Sequence, residues 1–223
     1  MDLEFTSCGA HFTEPKKWYE FINIDNDDFN VYHSTLLTIR YKPMDEYRQV
    51  LLDEIEWIVD VATIYHLEIS EHDFFIGTII EIMNLLPDLD SLKLSSITLP
   101  TTTLLSIEER EEINFIVNNN EITKVYLEKM NKFDDVLFLI DLFPELKYLQ
   151  IGCTSDIDIN LFLQIILMKI NNKTDSNLHL LAISVPTADD SMMKRIQNII
   201  DCKSLLFNYT IKRTYDTIFL QMK

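Results

Sequence analysis

The chain has 223 residues, of which 47% are hydrophobic and 25% are charged, a composition that predicts a folded protein with a sizeable core rather than a disordered one. The formal net charge of −17 is concentrated in residues 1–160, which hold eleven Lys/Arg against thirty-one Asp/Glu, whereas residues 161–223 hold eight against five. An anionic surface repels phosphate backbones, which argues against a nucleic-acid partner, and solubility alone also explains the acidity.

Six short segments with the same apolar spacing follow one another after residue 30. Each carries the figure apolar-x-x-apolar-x-apolar, which is clearest in Leu146–Ile151. Alternation of apolar residues with period two is typical of a β-strand. The predicted strands are Thr35–Arg40, Ile64–Ile69, Leu89–Leu94, Ile122–Leu127, Leu146–Ile151 and Leu178–Val185.

A stretch with apolar residues at helical spacing follows every predicted strand. Pro87 and Pro144 lie just after two of these stretches and are expected to end them, since proline cannot continue a helix. The predicted helices are Met44–Val59, Phe74–Leu86, Ile107–Val117, Asp134–Phe143, Ile159–Ile170 and Asp189–Ile200. The chain is therefore expected to alternate strand and helix throughout residues 31–206.

The two ends of the chain differ from this alternating region. Residues 1–30 show no clear period, and we expect an N-terminal cap or a partly ordered arm there, with an apolar patch around Trp18. Residues 207–223 contain two alternating segments, Tyr209–Arg213 and Thr217–Met222, which predict a β-hairpin. A hairpin at this position would cap the last open strand of the alternating region.

The spacing of the predicted strands points to a repeat protein. Their middle apolar residues recur at intervals of roughly 30 residues. The pattern resembles leucine-rich repeats, and this resemblance implies a curved α/β solenoid with a parallel sheet on its concave face and helices on its convex face. The family's Asn or Cys after each strand is replaced, so irregular strand-to-helix turns are expected. The replacing residues are Lys42, His72, Ile97, Met130, Thr154 and Pro186.

Four segments extend the resemblance to the repeat region of F-box/leucine-rich-repeat proteins: Tyr41–Met44, Leu86–Leu92, Phe143–Leu149 and Tyr209–Arg213. The resemblance implies a non-catalytic module that recognises a protein substrate for a ubiquitin ligase in the cytoplasm or nucleus. The residues before the first strand lack an F-box's leucine-proline opening, so we expect the F-box to be absent. We further expect a monomer with a protein partner and no membrane contact, because the apolar stretches are short.

A binding surface is expected on the strand side of such an array. Side chains that alternate with the inward residues of each strand should share the concave face. Tyr126 and Tyr148 lie near its centre, and tyrosine is enriched at protein interfaces. His66 and Glu68 share one strand face and are expected to form an ordinary surface pair. The candidate partner-binding residues are His66, Glu68, Lys93, Lys124, Tyr126, Glu128, Tyr148 and Gln150.

No catalytic, cofactor or metal motif is visible in the sequence. The three glycines are too few for a phosphate loop, and the three widely spaced cysteines, Cys8, Cys153 and Cys202, form no zinc pattern. We therefore predict that the chain is not an enzyme and needs no cofactor or metal ion. Two alternatives stay open: a small α/β enzyme of unknown reaction, and a structural or decayed repeat protein without a specific partner.

Overall fold

The computed structural model describes residues 3–7, 35–40, 48–70, 74–99, 107–154, 157–172, 177–186 and 188–222. Within these ranges the chain forms a mixed α/β fold with six helices and a mostly parallel sheet. The strands are β1 (Leu3–Ser7), β2 (Thr35–Ile39), β3 (His66–Ile69), β4 (Phe74–Phe75), β5 (Ser91–Leu94), β6 (Ile97–Thr98), β7 (Lys124–Leu127), β8 (Tyr148–Gly152), β9 (Leu180–Ser184), β10 (Tyr209–Thr214) and β11 (Thr217–Met222). The helices are α1 (Arg48–Val59), α2 (Ile76–Leu85), α3 (Ile107–Asn119), α4 (Phe133–Leu142), α5 (Ile159–Asn172) and α6 (Asp190–Cys202).

The main sheet has the order β1-β2-β3-β5-β7-β8-β9-β11-β10. Its six central strands, β2, β3, β5, β7, β8 and β9, are parallel and lie side by side in the order in which the chain makes them. A helix connects each of these strands to the next, as parallel pairing requires. The six predicted strands and the six predicted helices are thus confirmed, with small shifts at their ends.

The register of the central strands follows the apolar figure of the sequence. The middle apolar residues of the six strands are paired directly across the sheet, and each is fully buried. A slip of one residue would turn each of these side chains to the other face, so the apolar pattern fixes the register. These residues are Leu37, Leu67, Leu92, Val125, Leu149 and Leu181.

One continuous core joins the helices to one face of the sheet. Each helix contributes buried apolar side chains to the cluster that contains Leu37 and its aligned partners, and each helix packs on the next. All six helices therefore lie on the same side of the sheet. Representative contacts come from Ile55, Ile79, Ile116, Leu139, Ile166 and Ile200.

Three features of the fold were not predicted. Strand β1 pairs antiparallel with β2, within a region that shows no period in the sequence. Strands β4 and β6 form a separate two-stranded parallel ladder. Because Phe74 and Phe75 belong to that ladder, α2 begins at Ile76 rather than at Phe74. The expected apolar patch around Trp18 lies outside the described residues.

The C-terminal hairpin is confirmed, with Tyr215 in its turn at a φ of 53°. The second strand of the hairpin, β11, pairs antiparallel with β9, so β10 becomes the outer strand. The hairpin therefore covers the edge of the last parallel strand, as the sequence predicts. The Tyr209 hydroxyl donates to Asp201 Oδ1 at 2.6 Å, and Arg213 Nη2 lies 2.7 Å from Asp190 Oδ1, which ties β10 to α6.

Candidate protein-binding face

The eight predicted site residues lie together on the face of the sheet opposite the six described helices, and we call this face the strand face. Its middle row runs across six strands as Thr38, Glu68, Lys93, Tyr126, Gln150 and Ala182 and continues through Phe219 to Lys212. Its first row runs through Leu36, His66, Ser91, Lys124, Tyr148 and Leu180. Glu128, Gly152, Ser184 and Thr217 belong to a third row nearer the carboxyl ends of the parallel strands.

An apolar cluster occupies the half of the strand face nearer the hairpin. Tyr126, Tyr148 and Ala182 are buried there, with Leu180 and Phe219 packed against them. The two tyrosine rings lie 5.1 Å apart between centroids and are tilted by 45°. The cluster is separate from the core beneath the helices, so the strand face has an apolar centre of its own.

The tyrosines are more buried than the sequence indicates. Tyr126 is 6% exposed and Tyr148 is 5% exposed, so neither is a freely accessible contact residue. Burial raises the pKa of Tyr126, and a hydrogen bond to Tyr148 raises it further. Burial also raises the pKa of Tyr148 to about 12, and its hydroxyl donates to Gln150 Oε1 at 2.7 Å. These hydroxyls stay protonated at neutral pH and hold the rings in place.

A cleft of about 590 Å³ opens beside this cluster. Its apolar wall comes from Tyr126, Tyr148, Leu180 and Phe219. The cleft exists because small residues of neighbouring strands meet beside these large side chains. The small residues are Gly152 on β8, Ser184 on β9 and the buried Ala182. Its volume lies in the range of sites that take a small ligand or a large side chain.

Gly152 is required by the close approach of another strand end. A Cβ atom at this position would lie 1.8 Å from the Glu128 carbonyl oxygen, far inside van der Waals contact. The Gly152 carbonyl in turn accepts the Met130 N–H at 2.9 Å. A larger residue here would therefore disturb both the backbone and the cleft.

Charged side chains form one rim of the cleft. Lys93 Nζ lies 2.9 Å from Glu68 Oε1 and 2.8 Å from Glu128 Oε1. Burial by itself would lower the pKa of Lys93, but the two carboxylates outweigh that effect and raise it. Lys93 therefore lies between two carboxylates at this rim, and the Ser95 hydroxyl also donates to Glu128 Oε2 at 3.1 Å. Glu128, with 48% of its side chain exposed, is the most accessible of the three charged side chains.

The sequence led us to expect His66 in a surface pair. In the structure, His66 lies in a buried polar pair instead. It is 6% exposed, and its Nδ1 atom hydrogen-bonds to the Ser91 hydroxyl. Burial lowers the pKa of His66 to about 4; Asp90 opposes this shift and Lys124 adds to it. Lys124 Nζ is itself 2.9 Å from Asp90 Oδ2. Because Ser91 is fully buried, its hydroxyl cannot reach a substrate in this conformation.

Several residues of the strand face were not among the predicted site residues. Leu180 and Phe219 complete the apolar wall, and Gly152 and Ser184 give the cleft its room. The alternation of the hairpin sequence could have placed Phe219 on this face, since register extends the middle row into β11. The depth of the cleft could not be predicted, because it depends on side-chain sizes across strands that are distant in the chain.

No family model, curated protein or solved structure matches this chain. In the part of the chain that the structure describes, no helix combines the length and the apolar character needed to cross a membrane. Among those same residues, no three His, Cys, Asp or Glu side chains converge in a way that could hold a metal ion.

Proposed function

We propose that this chain is a non-catalytic protein-binding module whose partner docks on the strand face. In this proposal the sheet and the helix layer form a curved solenoid of the leucine-rich-repeat kind. The physical support is the difference in width between the layers: helices are about 10 Å across, whereas neighbouring strands lie about 4.8 Å apart. Six helices stacked beside six strands on one side would bend the sheet toward its strand face.

The observation that carries this proposal is the apolar cleft with its charged rim. Protein interfaces typically have an apolar, aromatic-rich centre that is surrounded by polar residues. The strand face has this arrangement, with Tyr126, Tyr148 and Phe219 near its centre and Lys93 and Glu128 at the rim. A large side chain of a partner could enter the cleft while its neighbours contact the rim.

The resemblance to F-box/leucine-rich-repeat proteins supports a more specific role. In this role, the module recognises a protein substrate for a ubiquitin ligase in the cytoplasm or nucleus. The repeated apolar figure and the segments around Pro87 and Pro144 carry this part of the proposal.

The proposal is tested with a variant that fills the cleft. Ser184→Leu places a larger side chain in the cleft and removes only the hydrogen bond between the Ser184 and Thr217 hydroxyls, which lie 3.0 Å apart. Gln197→Leu is the matched control, because Gln197 is exposed on α6, on the side of the sheet opposite the strand face. Circular dichroism and thermal melting establish that both variants are folded.

The chain and both variants then serve as baits for affinity capture with quantitative mass spectrometry. We expect the parent and Gln197→Leu to retain the same proteins and Ser184→Leu to lose them. Recovery of ubiquitin-ligase components or their substrates would support the specific role. Retention of every captured protein by Ser184→Leu, or capture of none by the parent, would contradict docking on the strand face.

A further inference from the structure

We infer that the docking partner presents an extended segment with a basic residue, a large apolar residue and an acidic residue at intervals of about three residues. This inference rests on the proposed function, because it describes what the strand face would recognise. It goes further by giving the chemistry and the spacing of the recognised segment. Three separate parts of the strand face carry the three elements.

The centre of the segment is set by the cleft. Its wall of Tyr126, Leu180 and Phe219 offers apolar contacts, and Gly152 and Ser184 leave space for an incoming side chain. Removing a large apolar side chain from water is favourable in proportion to the area buried. A leucine, methionine or phenylalanine of the partner is therefore the expected anchor.

The basic end of the segment is set by the rim on β5 and β7. Glu128 lies at this rim with 48% of its side chain exposed, and residues 1–160 as a whole are strongly acidic. An incoming lysine or arginine would complement this acidity, with the Glu128 carboxylate as its nearest contact. An incoming carboxylate would instead be repelled.

The acidic end of the segment is set by the hairpin. Lys212 on β10 is exposed and pairs in register with Phe219, so its side chain lies on the strand face beyond the cleft. Register places four further hairpin residues and three residues of β9 on this part of the face, and none of these seven is acidic. They are Thr210, Thr214, Thr217 and Gln221, and Leu180, Ala182 and Ser184. An acidic residue of the partner is the complement of Lys212.

The spacing follows from the strand order. From β7, which precedes Glu128, the sheet continues through β8, β9 and β11 to β10, which carries Lys212. Four steps of about 4.8 Å give about 19 Å between the two charged ends. An extended chain advances about 3.3 Å per residue, so about six residues span this distance. Strand β9, which carries Leu180 and Ser184, lies midway, so the anchor belongs about three residues from each charge.

The test uses fluorescein-labelled peptides of equal length in a glycine–serine background and the purified chain. The designed peptide has lysine, leucine and glutamate at intervals of three residues. A composition-matched peptide has both charged residues adjacent on one side of the leucine. Two others replace the leucine by serine or the glutamate by lysine. Binding is measured by fluorescence anisotropy at low ionic strength.

We expect the designed peptide to bind most tightly and the serine peptide to show the largest loss of affinity. An exposed interfacial charge pair contributes up to about 1 kcal/mol, and Lys212→Glu replaces it by a like-charge pair of similar size, so this variant should bind the designed peptide up to about thirtyfold more weakly. The peptide with lysine at both ends should bind Lys212→Glu better than the designed peptide does. This exchange of preference would be hard to explain by a general loss of structure. Ser184→Leu should abolish binding of the designed peptide, whereas Gln197→Leu should leave it unchanged.

The failures of the two proposals can be told apart. If the designed and composition-matched peptides bind equally, or if no peptide binds although Ser184→Leu loses captured proteins, the inferred segment is wrong and docking on the strand face stands. If Lys212→Glu leaves the order of affinities unchanged, the acidic end of the segment is wrong. If no peptide binds and Ser184→Leu loses no captured protein, both proposals fall.

Discussion

Replacement of Gly152 by alanine should destabilise the fold because the new methyl group has no space. Its Cβ atom would lie 1.8 Å from the Glu128 carbonyl oxygen and 2.8 Å from the carbonyl carbon. The Glu128 backbone has little freedom to retreat. Its N–H donates to the Leu94 carbonyl at 2.8 Å, and two residues later the Met130 N–H donates to the Gly152 carbonyl at 2.9 Å.

The expected cost combines two effects. Forcing an extra methyl group into a packed position costs about 1–3 kcal/mol. Moving the strand end to make room weakens at least one backbone hydrogen bond, which adds about 1 kcal/mol. We therefore expect Gly152→Ala to lower the free energy of unfolding by about 2–4 kcal/mol. For a protein of this size, that corresponds to a fall in Tm of about 4–16 °C.

Gly77→Ala is the matched control, since it makes the same chemical change inside α2. Its Cβ atom would lie 2.6 Å from the Phe75 ring, but that ring belongs to a partly exposed side chain that can turn away. Alanine also favours helix, so the stability should stay within about 1 kcal/mol of the parent. Both variants are compared by urea denaturation followed by circular dichroism. Equal stabilities for Gly152→Ala and Gly77→Ala would refute the reasoning.

Three further predictions concern burial. The pKa of His66, about 4, lies below the ordinary histidine value of 6.5, so the unfolded chain binds more protons between these values. The contribution of neutral His66 to the free energy of unfolding is complete above pH 6.5 and falls by about 3 kcal/mol as the pH drops through 4. In urea titrations at several pH values, His66→Asn should lack this part of the pH dependence. Leu149→Ala should cost about 2–5 kcal/mol by thermal and urea melts, whereas Leu161→Ala, at a half-exposed position, should cost under about 1 kcal/mol. Cys202→Ser should remove one thiol that reacts rapidly with Ellman's reagent, and Cys153→Ser should not, because burial raises the pKa of Cys153 to about 12.

The sequence predicts the central sheet well because each strand must bury one face. Residues such as Leu92 and Val125 occupy equivalent places in the apolar figure, and the structure pairs them directly. Period-two alternation determines which side chains face the helices, and an equal pattern in every strand aligns the register. The strand-to-helix alternation then makes parallel pairing of successive strands the simplest arrangement.

The strand face is less predictable than the core. Alternation places Tyr126, Tyr148 and His66 on that face, but it does not reveal their burial. Their exposure depends on neighbours from other strands, such as Leu180, that are distant in the sequence. The cleft likewise depends on neighbours from different strands, since it forms where small side chains of β8 and β9 lie side by side. Strands β4 and β6, at two residues each, are too short to give a periodic signal.

The place of β11 between β9 and β10 has a consequence for how the hairpin is held. Strand β10 has no ladder with β9, so within the sheet it depends on the strand that follows it in the chain. Fraying of β11 would leave β10 attached through side-chain contacts, such as those of Tyr209 and Arg213 with α6. Amide protons in β10 should therefore exchange with solvent no more slowly than those that join β11 to β9. The hairpin would detach as one unit and carry Phe219 and Lys212 away together.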